Sequence, residues 1–567
     1  MRLLRALLLP PLVIAILVGV VLIGRSGWQA TAAVRDLQAA AAAAAQLREA
    51  LTAGDVEAAE QHIATVRAAS REAAERLEGP SWRLTERLPG IGDDIAAVRQ
   101  SSQLVLRATR RLGDPLLEVA RLVGPADLRP VDGRVDLATL EEAQGMLATS
   151  AQELAMLSET AAGIDLAEVV PEIRASVSGL QLTLALAANL VEEVEIATDV
   201  LPAGLGEDRL RRYLVLLVDS GVATPGGGAP VAYAVVEAEG GGLAVVDEGD
   251  IADLAPAPPL DLDAEAAFLA GRPRKDGIDG IPGAGGAFAT PDFSRTGAYV
   301  RRAWREARPD LPIDGVASVD AVALAEVAVV VGAEPAMVEA ADGSDLGDVL
   351  RRVVAGDGDS GALLEVMRGD ALSARLHFWA ADQAVQRRLA GSRLAGIPMG
   401  TLDGLPRLGV YLTSDVVDGP DGATAGSTLL RLASARVRPL TCGADGQQMV
   451  LSAVVAPAGP VDAVTDAAAG PADASLLLLG PSGGILSRDV SVEGGELRGV
   501  RARTVGDRPA LRVALTVDPG GAAVVRTQAA TAHGETDEPR VAVPAADPAT
   551  RVRVDAAPCP QDAVPGP

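Results

Sequence analysis

The sequence predicts a multi-domain α+β protein in which an N-terminal transmembrane helix is followed by a helical stalk or bundle, an α/β domain and a C-terminal β-sandwich. Three observations predict it. An uncharged run stands at the amino terminus, long stretches rich in Ala, Leu, Arg and Glu follow it, and after Pro202 the pattern changes to short apolar runs punctuated by glycine. A chain of 567 residues has room for several domains of the usual size, roughly 100–200 residues each. The divisions expected are a signal anchor over 1–28, a stalk over 29–202, an α/β domain over 203–397, and a β-sandwich with a loop-rich tail over 404–567.

The opening "MRLLRALLLPPLVIAILVGVVLIGRSGW" sets Arg2 and Arg5 before the uncharged run at 6–24, with Arg25 and Trp28 after it. At helical rise such a run spans about 28 Å, close to the hydrocarbon thickness of a bilayer. Pro10 and Pro11 fall near its start, where first-turn donors are unpaired in any case. Ala30-Thr31-Ala32 offers a signal-peptidase-like site, but the run is longer than the ~7–15 residues of a cleaved leader. An uncleaved anchor is therefore expected, with the bilayer as its partner, the amino end cytoplasmic and the bulk outside.

From Val34 onward the strong helix formers dominate. Gly54 and Asp55 read as a stop and a cap between the two helices of a hairpin, and "GPSWRLTERLPGIGDD" breaks the pattern. Further helical runs are expected near 95–111, 115–123, 137–160 and 166–200, with "GPADLRPVDGRVD" as a polar interruption. The bland function of such a region is a spacer or an oligomerising bundle.

Beyond it, "RYLVLLV", "VAYAVVE" and "GGLAVVDEG" read as strands, "SRTGAYVRRAWREAR" as a helix, and "IDGVASVDAVAL" as a strand feeding a helix. Helices are expected over 345–354 and 361–389, and the stretch over 255–293 reads as loop. After Gly404 the runs "RLGVYLTSD", "STLLRLASARVRPL", "QQMVLSAVVAP", "ASLLLLG", "ILSRDVSV", "ALRVALTVD", "AAVVRTQ", "RVAVPA" and "TRVRVDA" are strand-like, with turn residues between them.

Composition excludes several functions. Aromatic residues make up 2% of the chain, so an aromatic platform for bases is not available. A formal charge of −26 opposes nucleic acid and repels anionic lipid or polymer at long range. Three histidines and two cysteines, dispersed along the chain, give no metal-ligand spacing, and neither a metal nor a cofactor is expected. Outside the cytoplasm a bridge between Cys442 and Cys559 is chemically permitted.

Motifs of catalytic appearance dissolve on inspection. "GDSG" at 358–361 lacks an upstream base, and Ser360 reads as a helix cap. "GPSGG" at 480–484 precedes a strand-like run, so Ser482 reads as a turn residue although Asp518 and His533 follow in hydrolase order. "GDGDS" fails as a calcium loop because Arg368 stands where the bidentate acid belongs. Asp314 and Asp320 flank "DGVASVD" at strand ends, where sites occur in open α/β sheets. No catalytic residue is assigned.

The order of features, and in particular "RLPGIGDDIAAVR", "LPAGLGEDRLRRYLVLLV", "PDFSRTGAYVRRAW", "IDGVASVDAVALA" and "WAADQAVQRRL", resembles the bacterial envelope family catalogued as domain of unknown function 4012. The resemblance implies an extracytoplasmic envelope protein whose middle domain is distantly similar to LytR-CpsA-Psr phosphotransferases, enzymes that move glycopolymers from polyprenyl diphosphate. Relatives tend to carry an Asn, Glu and Arg cluster and Gly-Gly after the "RYLLL" strand. Here "VDSGVATPGGG" keeps Asp219, Gly226, Gly227 and Gly228 but has no arginine, so the resemblance implies a degenerate site. The function expected is a non-catalytic scaffold or binding module for an envelope polymer or protein, the alternative being such a phosphotransferase.

Overall fold

The computed structural model describes residues 56–76, 92–122, 130–131, 133–220, 223–254, 263–271, 290–333, 343–372, 374–389, 393–395, 407–414, 430–443, 446–457, 471–518, 520–535, 539–543 and 551–554, with the single positions 43, 46, 50 and 288. They belong to two compact units, Met1–Arg129 with Val135–Ala203, and Pro130–Arg134 with Gly204–Pro567.

The first unit is helical: α1 (Val56–Arg76), α2 (Gly92–Leu122), α3 (Leu137–Ala162) and α4 (Pro171–Gly204). Leu104 and Leu112 of α2, Leu154 and Leu157 of α3, and Val177 and Leu184 of α4 share one core. Ala59 and Ile63 of α1 bury against Leu117. Ion pairs such as Arg67–Asp114 at 2.7 Å and Arg111–Glu153 at 3.4 Å lie at the surface, where each is worth about 0–1 kcal/mol, so aliphatic packing holds the helices together. The break expected between 111 and 115 does not occur. Helix α2 runs through Pro115, because Leu112, Leu116, Leu117 and Val119 continue its apolar face across the proline.

In the second unit a five-stranded sheet has the order β3-β2-β1-β4-β5, from β1 (Arg211–Asp219), β2 (Ala229–Glu239), β3 (Gly242–Asp250), β4 (Gly315–Asp320) and β5 (Leu376–Ala380). Only β1 and β4 run parallel; the other pairings are antiparallel. Central β1 sends Leu214, Leu216 and Val218 to the face covered by α6 (Phe293–Ala307), and Leu217 to the face covered by α7 (Ala321–Val330) and α8 (Gly343–Ala355). Residues 361–389, expected as one helix, divide into α9 (Ser360–Leu372), β5 and α10 (Gln383–Leu389). Phe378 and Trp379 are strand-favouring residues, and pairing with β4 takes the segment into the sheet. Pro130–Arg134, read as a bare interruption, adds an isolated bridge from Arg134 to Gly242.

Two further sheets share a core of Leu, Val and Ala side chains. One has the order β10-β14-β8-β7-β16 with β11 on β14, and the other β12-β13-β9-β6-β15. Their strands are β6 (Arg407–Ser414), β7 (Leu430–Gly443), β8 (Gly446–Pro457), β9 (Ala472–Leu479), β10 (Ile485–Leu486), β11 (Ser491–Glu493), β12 (Gly495–Val505), β13 (Arg508–Val517), β14 (Ala523–Ala530), β15 (Arg540–Ala542) and β16 (Arg551–Val554). The sequence does not announce β12, whose residues are mostly exposed and which carries Arg498, Arg501 and Arg503 on an edge.

The class expected from sequence is thus corrected. The described fold is mixed α/β with three sheets, and no helix among the described residues is long and apolar enough to cross a membrane. In α4 the longest apolar stretch is interrupted by Glu192, Glu193 and Glu195. The run at 6–24 lies outside the described residues.

Helix α5 (Ala264–Ala270), in the stretch expected to be loop, joins these layers. Phe268 and Leu269 bury against Tyr411, Leu477, Leu479 and Ala510, while Ala266, Ala267 and Ala270 meet Tyr299 of α6. Its carboxyl end is closed by Arg512 of β13, which is 2% exposed. The Arg512 guanidinium donates to the carbonyls of Phe268, at 3.4 Å, and Leu269, and to Thr413 Oγ1 at 3.2 Å. Replacing Arg512 by Met leaves those carbonyls buried without a donor, and the unit is expected to lose about 2–4 kcal/mol. Calorimetry of the whole chain should show its transition lowered by several degrees, with Arg512→Lys intermediate.

Candidate functional site

Because β1 and β4 are parallel, their carboxyl ends reach one edge of the sheet: Val218 pairs with Asp320, and Asp219 follows Val218. Asp314 precedes the opposite end, where Tyr213 pairs with Gly315. The carboxylates expected as one constellation are therefore divided between two ends of the sheet.

Asp314 serves as a tie. Its carboxylate accepts from Arg209 Nη2 at 2.5 Å and from the Arg212 amide at 3.1 Å, while its backbone bonds to Arg212 and Ala381. Asp320 is 3% exposed and caps α7, accepting from the Ala323 amide at 2.7 Å. Burial pushes its carboxyl above the usual range, and Arg375 is the cation that draws it back. Asp219 is exposed at the strand end.

The glycine triplet lies between β1 and β2 and is closed on itself. Gly226 N donates to Phe288 O at 2.8 Å, Gly227 N to Thr224 O at 3.1 Å, and Gly228 N to Thr224 Oγ1 at 2.9 Å. The Thr224 hydroxyl in turn donates to Gly228 O at 2.7 Å. A Cβ on Gly228, at φ +145, would lie 2.4 Å from Asp219 O, and one on Gly226 would lie 2.6 Å from Phe288 O. The glycines answer a packing requirement, and all three amides have partners inside the protein.

Beside this turn lies a buried group that the sequence does not reveal. Phe288 meets Phe293 edge-on, and Phe293 stacks on His377 with ring centroids 5.0 Å apart. His377 is 9% exposed, and its Nδ1 lies 3.3 Å from Ser318 Oγ across the β4/β5 pair. Burial lowers its pKa to about 4. Asp292 caps α6 through the Ser294 amide at 3.0 Å and is raised by burial. The signal for His377 was hidden inside a run read as helix.

Other motifs resolve into structure. Asp359 rather than Ser360 caps α9, accepting from the Ala362 amide at 2.7 Å. Ser482 occupies the turn before β10 and donates to Asp507. Among the described residues no group of His, Cys, Asp and Glu is arranged to hold a metal ion. Cys442, on β7, is disulfide-bonded; Cys559 lies outside the described residues.

The segment from the approach to β1 through most of α8 carries the mixed sheet's central strands, the closed turn and the helices α6, α7 and most of α8 that cover its two faces. Residues 208–353 match the family described as Protein of unknown function (DUF4012). No curated protein and no solved structure matches the chain.

Two outcomes follow from the site. Gly228→Ala should destabilise the unit by about 1–3 kcal/mol through the positive φ and the clash with Asp219, whereas Thr224→Ser, which keeps both hydroxyl bonds, should be nearly neutral in thermal unfolding. His377 titrates near 6.5 when unfolded and about 4 when folded, so its neutral form stabilises fully above 6.5. That contribution falls as pH drops from about 6.5 to 4. The loss amounts to about 3 kcal/mol. Asp292 and Asp320, both raised, work in the opposite direction at the acid end. The wild-type minus His377→Asn stability difference, measured against pH, should decline across that window; a flat difference contradicts the assignment.

Proposed function

We propose that the chain is a non-catalytic scaffold or binding module of the cell envelope, working outside the cytoplasm. The observation that carries this reading is the closed turn: amides that would cradle a diphosphate in a P-loop-like or phosphotransferase site are bonded to Phe288 and Thr224. Asp314 and Asp320 have structural partners at opposite ends of the sheet, and a diphosphate needs cations that Asp219 and Asp320 do not supply. The disulfide at Cys442 favours an oxidising compartment.

We propose that its partner is Cys559, the other cysteine of the chain.

The purified chain should transfer no glycan from a polyprenyl-diphosphate donor, and radiolabelled product above a boiled control would overturn the reading. It should show no free thiol until reduced. Free thiols before reduction, in chain secreted by its host, would remove the case for an oxidising compartment.

A further inference from the structure

Strands β6, β13 and β15 turn one face away from the core that the two sheets share. Leu408, Val410 and Leu412 of β6 and Leu511 and Val513 of β13 point into that core. Arg407, Gly409, Tyr411, Arg508 and Ala510 therefore lie on the opposite face, because side chains alternate along a strand. Arg540 of β15 pairs with Arg407 and stands exposed at the rim of the same row.

Tyr411 is fully buried on this face, and its hydroxyl has no hydrogen-bond partner. The ring leans back along β6 over Gly409, where a Cβ would lie 2.6 Å from Tyr411 Cε2. That lean carries the hydroxyl toward the strand end at which Arg407 and Arg508 stand. Burial pushes its pKa above the usual range, and the two cations draw it back only in part. At neutral pH it keeps its proton and is a donor without an acceptor.

Arg508 is 2% exposed and donates from Nε to Gly480 O at 2.9 Å and from Nη2 to Arg407 O at 2.6 Å. Carbonyl groups satisfy its N–H bonds without cancelling its charge, which arginine retains in proteins. Its neighbour Asp507 accepts the Ser482 hydroxyl and reaches Arg508 only through the longer-range field. A buried cation without a paired carboxylate and a buried donor without an acceptor are each expensive, and here they adjoin. One anion relieves both.

The chemistry of the surroundings limits that anion. Tyr411 is enclosed by Phe268, Leu477, Leu479, Val505 and Ala510, so the ligand is small. The carboxylate of Asp507 weakens the positive field and repels a second negative charge, which favours a monovalent ion. We propose that Tyr411 Oη and Arg508 hold one small monovalent anion of the halide class, with Arg540 adding to the field at the rim. The site lies outside the mixed sheet and is independent of the binding-module reading.

The test is thermal unfolding of the full chain in sodium gluconate, with chloride exchanged for gluconate at constant ionic strength. The unfolding temperature should climb with chloride and level off, the mark of a saturable site, whereas a general salt effect rises without saturating. Tyr411→Phe keeps the ring and removes the donor. It should be the more stable form in gluconate, where the wild-type hydroxyl is uncompensated, and chloride should narrow or reverse that gap. Its half-maximal chloride concentration should lie at least tenfold above that of the wild type. Arg501→Ser, at an exposed position on β12, should leave the wild-type response unchanged. A non-saturating rise, or the same half-maximal concentration in wild type and Tyr411→Phe, would overturn the site, and sulfate acting at lower concentration than chloride would overturn the monovalent class. Bromide-soaked crystals give a reading that needs no variant: an anomalous peak within hydrogen-bond reach of Tyr411 Oη supports the site, and bromide bound only elsewhere overturns it.

Discussion

A guanidinium buried among carbonyl groups holds the second unit together. Helix α5 has seven residues, too few to persist by its own hydrogen bonds, and its last carbonyls point at Arg512. The negative end of the helix and the cation of the sheet meet where water is excluded, so each satisfies what would otherwise be an expensive buried group. Phe268 and Leu269 seal that contact on one side, and the alanines reach Tyr299 on the other. In a chain with 2% aromatic residues this small junction takes three of its few rings, Phe268, Tyr299 and Tyr411. The α/β layer and the paired sheets consequently fall within one compact unit.

The same economy of polar groups governs the glycine turn. A glycine-rich connection after a strand can bind phosphate only if its amides remain undirected by the protein. Here the Thr224 hydroxyl and two backbone carbonyls take them up, and the close approach of Phe288 and Asp219 explains why side chains are excluded. Glycine in such a loop has two physical causes, ligand approach and backbone approach, which composition does not distinguish. Hydrogen-bond accounting does, and it assigns these three to the backbone.

Much of the fold was legible because burial writes a period into the sequence. Strands such as β4, β7, β8 and β13 alternate or run apolar, and α3 and α6 carry capping aspartates at Asp136 and Asp292. What escaped has the opposite character. Strand β12 is exposed on an edge, β5 is a five-residue segment set between two helices, and α2 crosses a proline that usually ends one. The candidate site was legible in its parts but not in its assembly. Asp219, Asp314 and Asp320 all stand at strand ends, yet only the parallel register of β1 and β4 reveals that one of them faces the other way. His377 enters through strand pairing alone and has no local signature.

Net charge illustrates how far a sum can mislead. A total of −26 reads as a general aversion to anions, and it holds for encounters at long range. Yet in the α/β layer the arginines are drawn into local carboxylate pairs, as Arg308 is to Asp247, Arg212 to Glu237 and Arg295 to Asp292. Those pairs cancel in place and leave little field. On the outward face of the six-stranded sheet the alternation of the strands brings arginines from separate segments into one row. Charge segregation of this kind arises from register, so it is invisible to composition and visible as soon as the strands are paired.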